Sequence, residues 1–259
     1  GDLWSLSADE QGRSGLRIAL RGAEAPEPLH LVDSDTAERD SRPEFYDFDL
    51  FGHIGNAPQF EDRPLDELVY TVFDTETTGL DTSSDQIISI GGLRVVNGRP
   101  LQNEVFEQLI DPGKPISRES IAVHGISEDM VRGKPDLTVV LPEFHRFAED
   151  TVLVGHNVAF DMSILQRVQG EAGVSFDAPV LDTLLLSAVV YPERGEHSLE
   201  KIAERFGIPV VGRHTAVGDA IVTAQVFLHL VKLLQDQGIN TLGEALKAAQ
   251  QTYLARVKY

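Results

Sequence analysis

The stretch Val69-Tyr70-Thr71-Val72-Phe73-Asp74-Thr75-Glu76-Thr77-Thr78-Gly79-Leu80 limits what this chain can fold into more than any other. Its apolar, β-branched and aromatic lead-in reads as a buried strand, ended by Thr-Thr-Gly. Side chains alternate along a strand, so Asp74 and Glu76 project from one side while Thr75 points away. Two carboxylates held together at the end of a buried strand repel, and one is protonated unless cations sit between them. A divalent metal is the usual remedy.

Taken alone, an Asp-x-Glu reads more readily as two solvated acids at a strand end. Two further stretches change that. His156-Asn157-Val158-Ala159-Phe160-Asp161 follows a second apolar strand, Thr151 to Gly155, and His214-Thr215-Ala216-Val217-Gly218-Asp219 opens a long helix. In this order and at these spacings the three segments resemble the three motifs of the DEDDh 3′-5′ exonucleases. The likeness is closest to the proofreading epsilon-type subunit of bacterial DNA polymerase III, and it covers roughly residues 68 to 236. It implies a ribonuclease H-like α/β fold, with a mixed five-stranded sheet flanked by helices.

Around that region the chain is expected to carry an N-terminal extension, residues 1–68, and an extra C-terminal helix within 238–259, with the exonuclease domain at 69–237. The 259 residues, 42% of them hydrophobic, suffice for one good core. No charged-then-apolar signal segment opens the chain, and no apolar run approaches the roughly 18 residues of a membrane span, so a cytoplasmic protein without membrane contact is expected. The absence of cysteine excludes disulfides, thiolate zinc sites and cysteine nucleophiles. Beginning at Gly1, the sequence reads as a piece of a longer chain.

The net charge of -19 has the wrong sign for steering a polyanion. Residues 1–68 hold 16 of the acids against 6 arginines and no lysine. Substrate capture is therefore expected to rest on metal and short-range contacts more than on the long-range field.

Along the chain, Leu16 to Arg21 and Leu29 to Val32 read as two short strands across the Pro-rich turn Ala23 to Pro28. After the Val69 strand come strands Gln86 to Val96 and Gln102 to Ile110, joined at Asn97-Gly98. Short helical turns flank His124-Gly125-Ile126, and Leu137 to Glu149 reads as a helix with Pro142 near its first turn. Helix Ala159 to Gln169, strand Val180 to Leu184 and helix Ser198 to Phe206 follow. Apolar residues at Val217, Ala220, Ile221, Ala224, Phe227, Leu228, Val231 and Leu234 form a 3.6-residue stripe, with Asp219 on its flank and Gly238 at its end. Thr241 to Val257 is expected as a last amphipathic helix.

Phosphodiester cleavage needs an activated water on one side of phosphorus and a stabilised leaving 3′-oxygen on the other, which two cations about 3.5 to 4 Å apart provide. Carboxylates suit Mg²⁺ or Mn²⁺. By the resemblance, Asp74 bridges both ions, Glu76 and Asp219 complete one and Asp161 holds the other. His214, five residues before Asp219, is then the general base, a role its near-neutral intrinsic pKa suits. The sister class places a tyrosine four residues before the last aspartate, where this chain has Thr215. The family's substrate contacts map onto Thr77, Thr78, Leu80, Val123, His124, His156 and Phe160, with Leu80 as a wedge between the last two bases and Phe160 as an apolar wall.

The resemblance implies an exonuclease that releases nucleoside monophosphates from the 3′ end of single-stranded or frayed DNA. An RNA-trimming member of the family and a non-catalytic nucleic-acid-binding module remain alternatives. A polymerase or an upstream domain of a longer chain is a further possible partner.

Overall fold

The computed structural model describes residues 3–6, 15–18, 58–210, 212 and 214–252. Backbone contacts divide the chain into two units, Gly1–Asp40 and Ser41–Tyr259. The first contains an antiparallel pair, β1 (Leu3–Leu6) and β2 (Gly15–Ile18), in the register Leu3↔Ile18. The strand expected from Leu16 thus pairs with an earlier segment, and Leu29 to Val32 lies outside the described residues.

The second unit is built on a five-stranded sheet of order β5-β4-β3-β6-β7. Strands β3 (Val69–Thr77), β4 (Ile87–Val96) and β5 (Arg99–Leu109) form an antiparallel meander, and β6 (Val152–Gly155) and β7 (Val180–Asp182) run parallel to β3. This is the mixed sheet expected. The helices are α1 (Pro58–Glu61), α2 (Arg118–His124), α3 (Glu128–Val131), α4 (Leu137–Phe147), α5 (Ala159–Ala172), α6 (Thr183–Val190), α7 (Leu199–Phe206), α8 (Ala216–Asp236) and α9 (Leu242–Gln250).

The alternation of β3 sorts the core. Tyr70 and Val72 join Leu93, Val95, Val152 and Val154 under α6, α8 and α9, whereas Phe73 joins Ile90 and Leu153 against α4 and α5. Tyr70 meets Phe227 of α8 edge-on, with ring centroids 4.7 Å apart, a pairing that adds about 0.5–1.5 kcal/mol beyond area burial. Among the described residues α8 alone is long and apolar enough to cross a membrane, yet most of it is buried on the sheet, as befits a core helix.

Three local expectations are corrected. The apolar run after Val180 is not one strand: β7 stops at Asp182, whose carboxylate caps a new helix through Leu184 N–H at 2.9 Å. Pro142 lies in the second turn of α4, beyond the first turn where its missing N–H costs nothing. The helix expected from Thr241 to Val257 starts at Leu242, opened by a capping box between Thr241 and Glu244, and ends at Gln250, while residues 253–257 of the expected span lie outside the described residues.

Residues 58–68 belong physically to the larger core. Leu65 and Leu68 are buried in it, the Tyr70 hydroxyl donates to the Leu65 carbonyl, and Pro64 forms a bridge with Thr241.

Candidate active site

Three of the expected ligands converge. Asp74 and Glu76, at the end of β3, and Asp219, in the first turn of α8, each offer a carboxylate oxygen within 4.8 Å of the others. Two features bring Asp219 there. Asp74 pairs across the ladder with Gly91, and a Cβ built on Gly91 would stand 2.1 Å from Val217 N and 2.3 Å from the Ala216 carbonyl carbon. Only a glycine lets the start of α8 rest on the sheet beside Asp74. The loop before α8 is equally tight, since a Cβ on Gly218 would lie 2.1 Å from the Gly212 carbonyl oxygen. Thr215, at the position the sister class gives to tyrosine, is the N-cap of α8: its hydroxyl accepts from Gly218 N–H at 3.1 Å and donates to the Gly212 carbonyl at 2.7 Å.

His214 is half-buried in this loop with φ 59, the left-handed region, and its backbone N–H donates to Asp219 Oδ2 at 3.2 Å. Its backbone thus orients the Asp219 carboxylate directly. A non-glycine residue held at positive φ stores a modest strain, a feature that concentrates at functional sites.

Asp161 is not among the three. It lies in the first turn of α5, is 2% exposed, and its Oδ1 accepts a short hydrogen bond from the Thr75 hydroxyl. The pleat explains this placement. Thr75 points to the α5 face of the sheet, while Asp74 and Glu76 point to the α8 face, so Asp161 approaches the end of β3 from the other side.

The residues mapped as substrate contacts divide into two groups. Leu80 is 55% exposed at the tip of the loop after β3, and Val123 is half-buried on α2. Thr77 and Thr78 are buried, with hydroxyls donating to Gly79 O and Asp85 Oδ1, both at 2.6 Å. His124 pins α2 to β3: Nδ1 accepts from Ile126 N–H at 3.0 Å, which leaves the proton on Nε2, 3.3 Å from the Thr77 carbonyl. His156 Nδ1 lies 2.9 Å from the Thr183 hydroxyl. Phe160, expected as an apolar wall, is 1% exposed among Phe73, Leu153 and their neighbours.

The Leu80 loop is braced through Asp85. Burial works against ionising Asp85, but the Thr78 hydroxyl, the Asp81 N–H and Lys114 together hold its carboxyl below the ordinary value. Lys114 Nζ lies 3.1 Å from Asp85 Oδ1, and the Arg167 guanidinium of α5 donates to the carbonyls of Thr82 and Asp85. Sequence reasoning missed Gly91, Thr75 and this brace. The signal for Gly91 was present, since a Gly-Gly pair inside a strand marks a close backbone approach.

The RNase_T family, described as exonuclease, matches residues 71–227. A DNA polymerase III subunit epsilon-like protein of Rhodobacter capsulatus is 46% identical over 250 residues, covering 95% of this chain and 34% of that protein. A PolC-type DNA polymerase III of Caldanaerobacter subterraneus subsp. tengcongensis is 38% identical over 175 residues, covering 68% of this chain and 12% of that one. The chain therefore spans about a third of the length of the first of these relatives and about an eighth of the second. Among solved structures, exonuclease X in complex with 5′ overhanging duplex DNA superimposes with a TM-score of 0.57 at 23% identity, covering 70% of this chain and 99% of that one. E. coli exonuclease I with a dT13 oligonucleotide gives 0.57 at 16% identity, covering 66% and 42%. At these identities the structural likenesses establish the fold.

Proposed function

Because the chain belongs to the RNase_T exonuclease family, we propose that it is a metal-dependent 3′-5′ exonuclease that releases nucleoside monophosphates from single-stranded or frayed DNA. The observation that carries this reading is the convergence of Asp74, Glu76 and Asp219. Three carboxylates with oxygens within 4.8 Å of one another are a hard oxygen donor set suited to Mg²⁺ or Mn²⁺.

On this reading Asp74, Glu76 and Asp219 hold divalent cations, with Asp161 contributing from the α5 side to a second. When bound, two such ions supply the charge that activates a water and stabilises the leaving 3′-oxygen. His214 receives the proton of the attacking water at its imidazole. Leu80, the one strongly exposed apolar side chain on the Asp85-braced loop, meets the terminal bases, and His124 and Val123 back the loop's approach to the end of the strand. The DNA preference is supported by relatives whose names are those of DNA polymerase III proteins and by neighbours solved with DNA. Their greater length supports a polymerase, or further domains of a longer chain, as the partner. The same reading assigns the chain to the cytoplasm.

The test is digestion of a 5′-labelled single-stranded DNA oligomer with Mg²⁺ or Mn²⁺, with EDTA, and beside an RNA oligomer of the same sequence. A ladder shortened one nucleotide at a time, mononucleotide release and arrest by EDTA are expected on DNA. Shortening of the RNA in preference replaces DNA by RNA in this reading, and intact oligomers in Mn²⁺ leave a non-catalytic binding module.

A further inference from the structure

One buried carboxylate beside the site has no part in the roles above. Asp182 ends β7 and is 3% exposed. Its Oδ1 accepts from Leu184 N–H at 2.9 Å, the ordinary cap of α6. The same oxygen accepts from Asn157 N–H at 2.9 Å, and Oδ2 accepts from Val158 N–H at 3.1 Å. Those two bonds reach across the sheet end to the turn between β6 and α5.

That turn needs an external hold. Val158 is the N-cap of α5, and it has no side-chain oxygen with which to cap the helix. Asn157 sits at φ 54, a conformation that is uncommon outside glycine. Thr183, the next residue after Asp182, grips the same turn, its hydroxyl lying 3.2 Å from the Gly155 carbonyl and 2.9 Å from His156 Nδ1. Every residue from Gly155 to Val158 is thereby tied to the pair Asp182-Thr183.

Capping alone does not account for an aspartate here. Serine or asparagine caps a helix about as well, and without a charge to bury. Burial pushes the Asp182 carboxyl up to about 7, with the charge of Asp161 adding in the same direction. What a carboxylate does and a neutral side chain does not is accept several N–H groups while presenting no donor. An asparagine would turn its own N–H₂ against a backbone N–H.

We propose that Asp182 is a positioning residue for the cleavage: by fixing the β6–α5 turn it sets where Asp161 and His156 stand relative to the carboxylates at the end of β3. The inference rests on the exonuclease reading above. Asp161 follows Val158 by three residues in the first turn of α5, so a displaced Val158 carries Asp161 with it and loosens its bond to Thr75.

Asp182→Asn in the full chain, shown to be folded by circular dichroism, tests this. Turnover of single-stranded DNA is measured across Mn²⁺ concentrations, and Mn²⁺ binding is measured by calorimetry without DNA. The expected result is a kcat about tenfold or more below wild type, a DNA KM within about threefold, and weaker binding of at least one Mn²⁺. Wild-type kcat and Mn²⁺ affinity with only a lower Tm would make Asp182 a plain structural cap and overturn the proposal. If Asp182→Asn does not fold, Asp182→Ser carries the test, since a serine keeps the cap of α6 but lacks the second oxygen that holds Val158 N–H. A fall in its kcat at unchanged KM supports the proposal, and an unchanged kcat overturns it. Because Mn²⁺ binding is read without turnover, an inactive wild type would remove the exonuclease reading while the calorimetry still decides the role of Asp182.

Discussion

On the face of β3 that meets α8, three carboxylates converge because backbone packs directly on backbone; on the face that meets α5, Asp161 accepts from the Thr75 hydroxyl. The first arrangement is set by what is missing, the side chain of Gly91. The second is set by what is present, the Thr75 hydroxyl and the hydrogen bonds that anchor α5. A close-packed backbone contact resists displacement steeply, whereas a hydrogen-bonded anchor yields by degrees. On the proposed exonuclease reading the α8 half is therefore the preformed side of the cation site, and the α5 half the adjustable one.

The comparison breaks most completely at Asp74. Asp74→Ala should cost on the order of a thousandfold or more in turnover, since it removes a central charge of the site. In EDTA its Tm should equal or exceed that of wild type, because a repulsion has gone. Undiminished hydrolysis would sink the site assignment. His214→Ala follows, with an expected loss of roughly a hundredfold or more in kcat, the usual scale for a positioned general base. Its Mn²⁺ affinity by calorimetry should stay near wild type, since no carboxylate is lost; an affinity that collapses with the rate would make His214 a ligand or a prop.

Gly91→Ala asks whether packing alone holds the α8 half. The added methyl meets Val217 N at 2.1 Å, so the first turn of α8 must lift. Overpacking of this kind costs about 1–3 kcal/mol, and Mn²⁺ binding should weaken together with Tm. Unchanged binding would show that Asp219 reaches the cluster without that contact. Thr75→Val addresses the other face. It should leave Mn²⁺ binding at the three-carboxylate cluster intact and lower turnover by about tenfold or less, read as a higher Mn²⁺ requirement for full rate.

The smallest effect belongs to Asp85, which the Arg167 anchor links to α5. Its folded carboxyl is held below the ordinary value, so the stability it contributes is present above the unfolded pKa of 3.8 and is lost as pH falls through the folded value. Asp85→Asn should therefore lower Tm modestly at pH 7, and the gap to wild type should close below pH 3.8. A gap that persists in acid would assign the brace to shape rather than charge.

The sequence showed some of this plainly and concealed the rest for physical reasons. The end of β3 was legible because an alternating strand places Asp74 and Glu76 together, and α8 because its apolar stripe keeps a helical period. Helix α6 was hidden because nearly all of Thr183 to Val190 is buried, leaving no polar face to reveal a helical period, so Thr183 and Leu184 read as more strand and the residues after them were given no element. The pleat also put Thr75 opposite the acids. That it would face Asp161 could not follow from β3 alone, since it depends on α5 being held from Asp182, 21 residues further along the chain.

The bridge between Pro64 and Thr241 has a further consequence. Leu65 N–H donates to the Asn240 carbonyl at 2.9 Å and Leu242 N–H to the Arg63 carbonyl at 3.2 Å, so the segment leading into β3 and the turn leading into α9 are clasped backbone to backbone. Opening the unit from either crossing therefore breaks the same backbone pairing, which couples the lead-in to β3 with the start of α9.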